Sequence, residues 1–251
     1  MTQNIDVPEV ALAIGAHPDD IDFHCSATLA KWAARGCEVH YLVMTDGSKG
    51  TWDSHENREN LIALRRFEQR EAYMIVTGSD MVIAEQRTHF LPYVDGELEI
   101  TNKEISAVCA IIRQIQPQVI LAHDPWKRYR LHPDHRKTGF IVTDAIVAAR
   151  DPLFYPEQKW PHFRPKLLML FEADEIDHGE DISQYEEIKI SALLKHKSQL
   201  LSTMGIDISA TEDVYREKLS AFETDIENKH IRAGEVFNLT KAESYKLMTN
   251  L

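Results

Sequence analysis

The chain has 251 residues, 43% of them hydrophobic and 27% charged, which suits one large α/β domain and excludes extensive disorder. Its 28 basic and 40 acidic residues leave a net charge of −12, a balance that speaks against a nucleic-acid partner. Cys25, Cys37 and Cys109 show no paired spacing and fit a reducing compartment. With no apolar leader and no run of about 18 apolar residues, the chain is expected in the cytoplasm and off the membrane.

Short apolar runs alternate with longer amphipathic ones. Val10 to Ala16 is continuously apolar and reads as a buried strand. A helix is expected from Ser26 to Arg35, stopped by Gly36, and a second strand from Glu38 to Thr45, ended by Asp46-Gly47. A polar loop, Ser48 to Glu59, leads into an amphipathic helix reaching about Val76, and Met81 to Ala84 reads as a weak third strand. Thr101-Asn-Lys-Glu104 is a capping box for a helix closed by Pro117, and Val119 to Ala122 is the fourth strand. His132-Pro133 opens a helix running to about Arg150, and Leu167 to Phe171 is a strongly apolar strand. Eight of the sixteen residues from Glu172 to Glu187 are acidic, which predicts a solvated loop. From about 185 to 251 the chain reads as a helical extension packed on the rest.

This alternation predicts a Rossmann-like, doubly wound α/β fold with a mainly parallel sheet. In that fold the first and fourth strands lie side by side where the winding reverses, and ligands bind beyond their carboxyl ends. Two segments follow those strands: Ala16-His17-Pro18-Asp19-Asp20 and His132-Pro133-Asp134-His135. About 115 residues separate them, yet the topology brings them to one crevice. Two imidazoles and a carboxylate from these segments would suit a catalytic zinc with an open position, and iron(II) also fits such donors. A remaining aspartate could accept a proton from water, and a spare histidine could serve as acid or oxyanion partner.

The two segments resemble the motifs Ala-His-Pro-Asp-Asp and His-x-Asp-His of the PIG-L/LmbE family of zinc-dependent sugar N-deacetylases. The likeness continues through Thr45-Asp46-Gly47, Arg66-x-Glu68 and Ala192 to His196-x-Ser198-Gln199. The resemblance implies that His17, Asp20 and His135 bind zinc, that Asp19 is the general base, and that His132 is the acid or oxyanion partner. It implies that Asp134 orients or tunes His132. The expected reaction is removal of acetate from an N-acetylated amino sugar of the N-acetylglucosamine type. The chain departs from the family after the first motif, with Ile21 and with His24-Cys25-Ser26-Ala27 in place of a glycine-rich turn. Cys25 is expected to pack in the core, and His123 and His196 to support a ligand or the catalytic carboxylate.

An iron(II) oxygenase using the same donors and a non-catalytic sugar-binding module are the rival readings. Such oxygenases usually occupy all-β scaffolds, and a binding module has no use for a spare Asp19. The loop Trp126-Lys127-Arg128-Tyr129-Arg130 places three cations just before His132. Arg130 is therefore expected to bind an anionic group on the substrate, with Trp126 or Tyr129 stacking on a sugar. A small-molecule partner is expected, with a homo-oligomer possible.

Overall fold

The computed structural model describes residues 1–251. One eight-stranded sheet organises the chain. In sequence order its strands are β1 (Thr2–Gln3), β2 (Val10–Gly15), β3 (Glu38–Thr45), β4 (Thr88–Tyr93), β5 (Val119–His123), β6 (Leu167–Phe171), β7 (His178–Asp181) and β8 (Ala242–Met248). The helices are α1 (Asp20–Ala33), α2 (Arg58–Thr77), α3 (Met81–Arg87), α4 (Asn102–Ile115), α5 (Pro133–Arg150), α6 (Glu186–Leu193) and α7 (Glu212–Phe237). A 3-10 turn spans Lys197–Gln199.

The spatial order is β1-β7-β8-β6-β5-β2-β3-β4, parallel throughout except that β8 runs antiparallel to β6 and β7. The first and fourth expected strands, β2 and β5, are neighbours in register, with Ala11 opposite Val119 and Ile14 opposite Ala122. The chain winds outward from β2 through β3 to β4, then α4 carries it back to β5 on the other side. That reversal opens the crevice which holds the two motifs.

Strand alternation sorts the core into two layers. Ala11, Ala13, Val39, Tyr41, Val43, Leu121 and Phe171 face α1, α2 and α6, with Trp32, Leu29 and Tyr73 packed over them. Leu12, Ile14, Leu42, Met44, Ile120 and Leu170 face α4 and α5, where Val108, Ile112, Ile141 and Ala145 cover them. Cys25 is fully buried in the first layer, as a small packing residue. No helix is long and apolar enough to cross a membrane.

Four segments differ from the sequence expectation, the first being α1, which begins at Asp20 rather than Ser26 because the chain enters the helix directly from the turn at Asp19. Met81–Arg87 is a helix capped by the Asp80 carboxylate on the Ile83 amide, and the strand follows it at Thr88–Tyr93. The acidic 172–187 segment is not a solvated loop. It contains β7, and Glu180 is fully buried, accepting from Lys31 Nζ at 2.5 Å and paired with His178 Nε2 at 2.8 Å. Past residue 185 the chain forms α6 and α7, and it also adds β8, which seats Tyr245 in the core.

Candidate metal and catalytic site

The tight turn after β2 sets the first motif. Asp19 has a left-handed backbone (φ 97°, ψ −31°), a strained conformation for a residue with a side chain. It precedes α1 without capping it, so its carboxylate is free to face the crevice. Three interactions over-determine the strain. The Asp19 amide donates to Gln69 Oε1 at 2.9 Å. Arg65 Nη2 donates to the Pro18 carbonyl at 2.6 Å, and Nη1 to that of Gly47 at 2.8 Å.

The second motif opens α5. Pro133 occupies the first helical turn, where its missing N–H costs nothing, and His132 Nδ1 accepts the Asp134 amide at 3.3 Å as the cap. That bond leaves Nε2 as the protonated nitrogen of a neutral His132. Burial lowers the pKa of His132, and the neighbouring His17 adds to the effect.

The two motifs meet. His17 Nδ1 lies 3.2 Å from His135 Nε2, and Asp20 presents Oδ2 to His17 Nδ1 and Oδ1 to His135 Nε2, each at 3.3 Å. A tetrahedral ion with ligands at about 2.0–2.1 Å holds its donors about 3.3–3.4 Å apart. The two imidazole nitrogens stand at that spacing, Asp20 meets each of them through a different oxygen, and the donor types suit zinc or iron(II). Negative charge converges on the same point. His17 Nε2 lies 3.2 Å from Asp95 Oδ1 and 3.3 Å from Asp134 Oδ2. Although burial opposes it, these acids and Asp20 hold the His17 imidazole well above its ordinary pKa. A cation replacing that proton would find the same field.

Asp19 is in the opposite position. Burial raises its carboxyl to about 6, although Arg65, 3.4 Å away, opposes the shift. A carboxylate so placed is matched to proton transfer near neutral pH. The walls are polar: a cavity of about 400 Å³, lined by no hydrophobic residue, is bordered by His17, Asp19, Asp20, His132 and His135, and by Arg65, Asp95 and Gln199. A larger concavity of about 510 Å³ sits near the amino-terminal ends of β2, β5 and β6, lined by Ile5, Val7 and Leu167. It brings no histidine or cysteine.

All six motif residues are thus assembled, but two expectations change. The Asp134 carboxylate is directed at His17 and the Gly96 amide, 2.6 Å away, and reaches His132 only through its own backbone N–H. The first turn of α5 points that side chain inward, where it is fully buried. Arg130 is not a free anion receptor. It pairs with Glu172 Oε1 at 2.5 Å and touches His135 Nδ1. Lys127 and Arg128 are paired with Asp174 in the same way, so the basic loop is neutralised by the acidic segment after β6. Tyr129 is almost wholly solvent-exposed, and Trp126 packs edge-on to Phe140.

Four site residues stand outside the motifs. Arg65 rather than Arg66 reaches the crevice, for Arg66 lies over the Phe90 ring. Asp95 is held by the turn after β3, its amide donating to Asp46 Oδ1 at 3.1 Å; the Asp95-Gly96 pair after a strand was the available signal. His123, at the end of β5, places Nε2 3.2 Å from Asp20 Oδ2. Glu172 has no signal beyond following β6. His196 sits one layer back, its Nε2 2.9 Å from Asp22 Oδ2, which also accepts from Gln69 Nε2 at 2.6 Å. Glu68 binds Ser198 through its amide and hydroxyl, at 2.9 and 2.6 Å, fixing the His196–Gln199 segment beside the site.

Comparison with known proteins follows this geometry. The family described as PIG-L, GlcNAc-PI de-N-acetylase, matches residues 12–146, which span both motifs. Diacetylchitobiose deacetylase of Thermococcus kodakarensis is 32% identical over 197 residues, covering 77% of this chain and 71% of that protein. The 1D-myo-inositol 2-acetamido-2-deoxy-alpha-D-glucopyranoside deacetylase of Rhodococcus erythropolis is 27% identical, covering 81% and 74%. Among solved structures, N,N'-diacetylchitobiose deacetylase from Pyrococcus horikoshii superposes with a TM-score of 0.82 at 26% identity, covering 96% of this chain and 84% of that one. The 4-carboxy-2-hydroxymuconate hydratase GalB from Pseudomonas putida shares the fold, with a TM-score of 0.69 at 16% identity. On sequence and site together, the chain belongs to the PIG-L family of de-N-acetylases.

Proposed function

We propose that the protein is a metal-dependent N-deacetylase that hydrolyses the acetamide of an N-acetylglucosamine-type conjugate to acetate and a free amine. One observation carries this reading. The His17 and His135 imidazoles stand 3.2 Å apart, each 3.3 Å from one of the two Asp20 oxygens, beside a strained carboxylate, Asp19, whose pKa is raised to about 6. The GalB likeness warns that the fold alone does not choose a reaction. The relatives with the higher sequence identity are named deacetylases of acetylated amino sugars, and the hydrophilic cavity suits a sugar.

His17, Asp20 and His135 would hold the ion, with zinc the favoured metal. When bound, it supplies Lewis acidity that polarises the acetamide and acidifies water. Asp19 takes a proton from the attacking water. His132 directs its Nε2–H toward the oxygen that gains charge in the tetrahedral transition state. The proton held on Asp19 is then available to the departing nitrogen, which leaves as the amine. Asp95 and Asp134 hold the remaining nitrogen of His17, an arrangement that fixes ring orientation and ligand basicity. His123 braces Asp20 in the same manner.

With Arg130 matched to Glu172, the structure gives no support to a requirement for an anionic substrate group. A panel of N-acetylglucosamine conjugates, neutral and charged, assayed for amine release with and without chelator, tests the reading. Chelator-sensitive release is expected. Release unaffected by complete metal removal, or none from any conjugate, would overturn it.

A further inference from the structure

We infer that a second divalent transition-metal ion binds between His24, His123 and Glu172, behind the Asp20 ligand. Two imidazoles and a carboxylate are the donor types that favour zinc or its first-row neighbours. His24 Nε2 and His123 Nδ1 each lie 3.4 Å from the same oxygen, Glu172 Oε2, and the three donor atoms fall within 4.8 Å of one another.

These separations differ from the other histidine–carboxylate pairs outside the catalytic crevice. His178–Glu180, His196–Asp22, His230–Glu186 and His40–Glu38 form hydrogen bonds of 2.7–2.9 Å. His123 Nδ1 instead is completely buried and makes no hydrogen bond. Nε2 is engaged on its own side of the ring, 3.2 Å from Asp20 Oδ2 and 3.3 Å from the Ala16 amide nitrogen. A buried imidazole nitrogen with no hydrogen-bond partner, set 3.4 Å from a carboxylate oxygen, is a position that a divalent cation can occupy.

The surroundings hold the donors in place. The His24 ring stacks on Phe171, with centroids 4.9 Å apart and planes at 18°. Arg130 fixes Glu172 through Oε1 and leaves Oε2 to the cluster. Its positive charge makes this the weaker of the two sites. A cavity of about 270 Å³, bordered by Phe23, His24, Glu172 and His230, gives access, and its buried Lys189 is neutralised by Glu243 at 2.6 Å.

The inference is independent of the catalytic reading, and one experiment separates them. Chelator-stripped protein is titrated with Zn²⁺ and bound metal is counted after equilibrium dialysis. Wild type should bind two equivalents, the second more weakly. His24→Ala and the near-isosteric Glu172→Gln should each lose the weaker equivalent, whereas His17→Ala should lose the tighter one. Thermal melts confirm that each variant is folded, and Glu172→Gln serves if His24→Ala is not. One equivalent in wild type, lost in His17→Ala, would overturn the second site and leave the catalytic site standing. Two equivalents retained in both His24→Ala and Glu172→Gln would also overturn it. One equivalent that survives His17→Ala but not His24→Ala would support the second site and contradict the catalytic one.

Discussion

His17 Nδ1 and His135 Nε2 lie 3.2 Å apart although 118 residues separate them in the chain. The juxtaposition follows from the pairing of β2 with β5, which sets the two motif loops beyond adjacent strand ends. Whatever disturbs that pairing or the helix that follows β5 should disturb the site.

Gly139 provides a way to do so without touching a ligand. It lies one turn after His135 in α5, and a Cβ there would fall 2.6 Å from the His123 carbonyl and 2.8 Å from the Pro125 nitrogen. Backbone must move to admit it. Gly139→Ala is expected to cost about 1–3 kcal/mol of stability through overpacking and to weaken metal binding by displacing His135. Denaturant melts and Zn²⁺ titration would check this; unchanged values for both would show that α5 can shift freely.

Arg65 should matter for stability as well as for turnover. It is buried, donates to the carbonyls of Pro18 in the first motif loop and of Gly47 in the turn after β3, and faces Asp19. Removing one partner of a buried pair typically costs about 3–5 kcal/mol. Arg65→Met is expected to lose stability on that scale and to release the strained Asp19 turn. A variant with wild-type melting and activity would mean that Pro18 and Gly47 are held by other contacts.

Acid should loosen the β1–β7 edge. Burial alone would raise the Glu180 carboxyl, but His178 and Lys31 together hold it below the ordinary range. A depressed carboxylate contributes stability that is fully present above its unfolded pKa of about 4.3. That contribution is lost as the pH falls through the lower folded value. Wild type should therefore lose melting temperature between about pH 5 and pH 3 more steeply than Glu180→Gln, which should be less stable at neutral pH. Parallel pH profiles would contradict the assignment.

The parts of this fold legible in the sequence are those where burial and pattern agree. Val10–Gly15 is buried on both faces and reads as an unbroken apolar run, and the motif loops follow from such strands. β7 was hidden because His178-Gly-Glu-Asp looks solvated; its glutamate is buried only because Lys31, far off in sequence, neutralises it. β8 alternates, with Glu243 and Lys246 in a strand that lies between β6 and β7, and Glu243 is buried against Lys189. In the site, adjacent residues such as Asp19 and Asp20 form a recognisable pattern. Arg65, Asp95 and Glu172 arrive singly from different elements, and only tertiary contacts reveal them. The basic 126–130 loop and the acids after β6 each looked functional or solvated alone, and their pairing explains both.

The central claim is a division of labour between neighbours: Asp20 with His17 and His135 holds the ion, and Asp19 moves the proton. Measuring bound metal and amine-releasing turnover side by side in Asp19→Asn and His135→Ala tests it most directly. Asp19→Asn should keep the full wild-type metal complement while kcat falls by about 10²–10⁴-fold. His135→Ala should lose one equivalent of metal and its turnover together. Wild-type kcat in Asp19→Asn, or an undiminished metal complement in His135→Ala, would contradict the account.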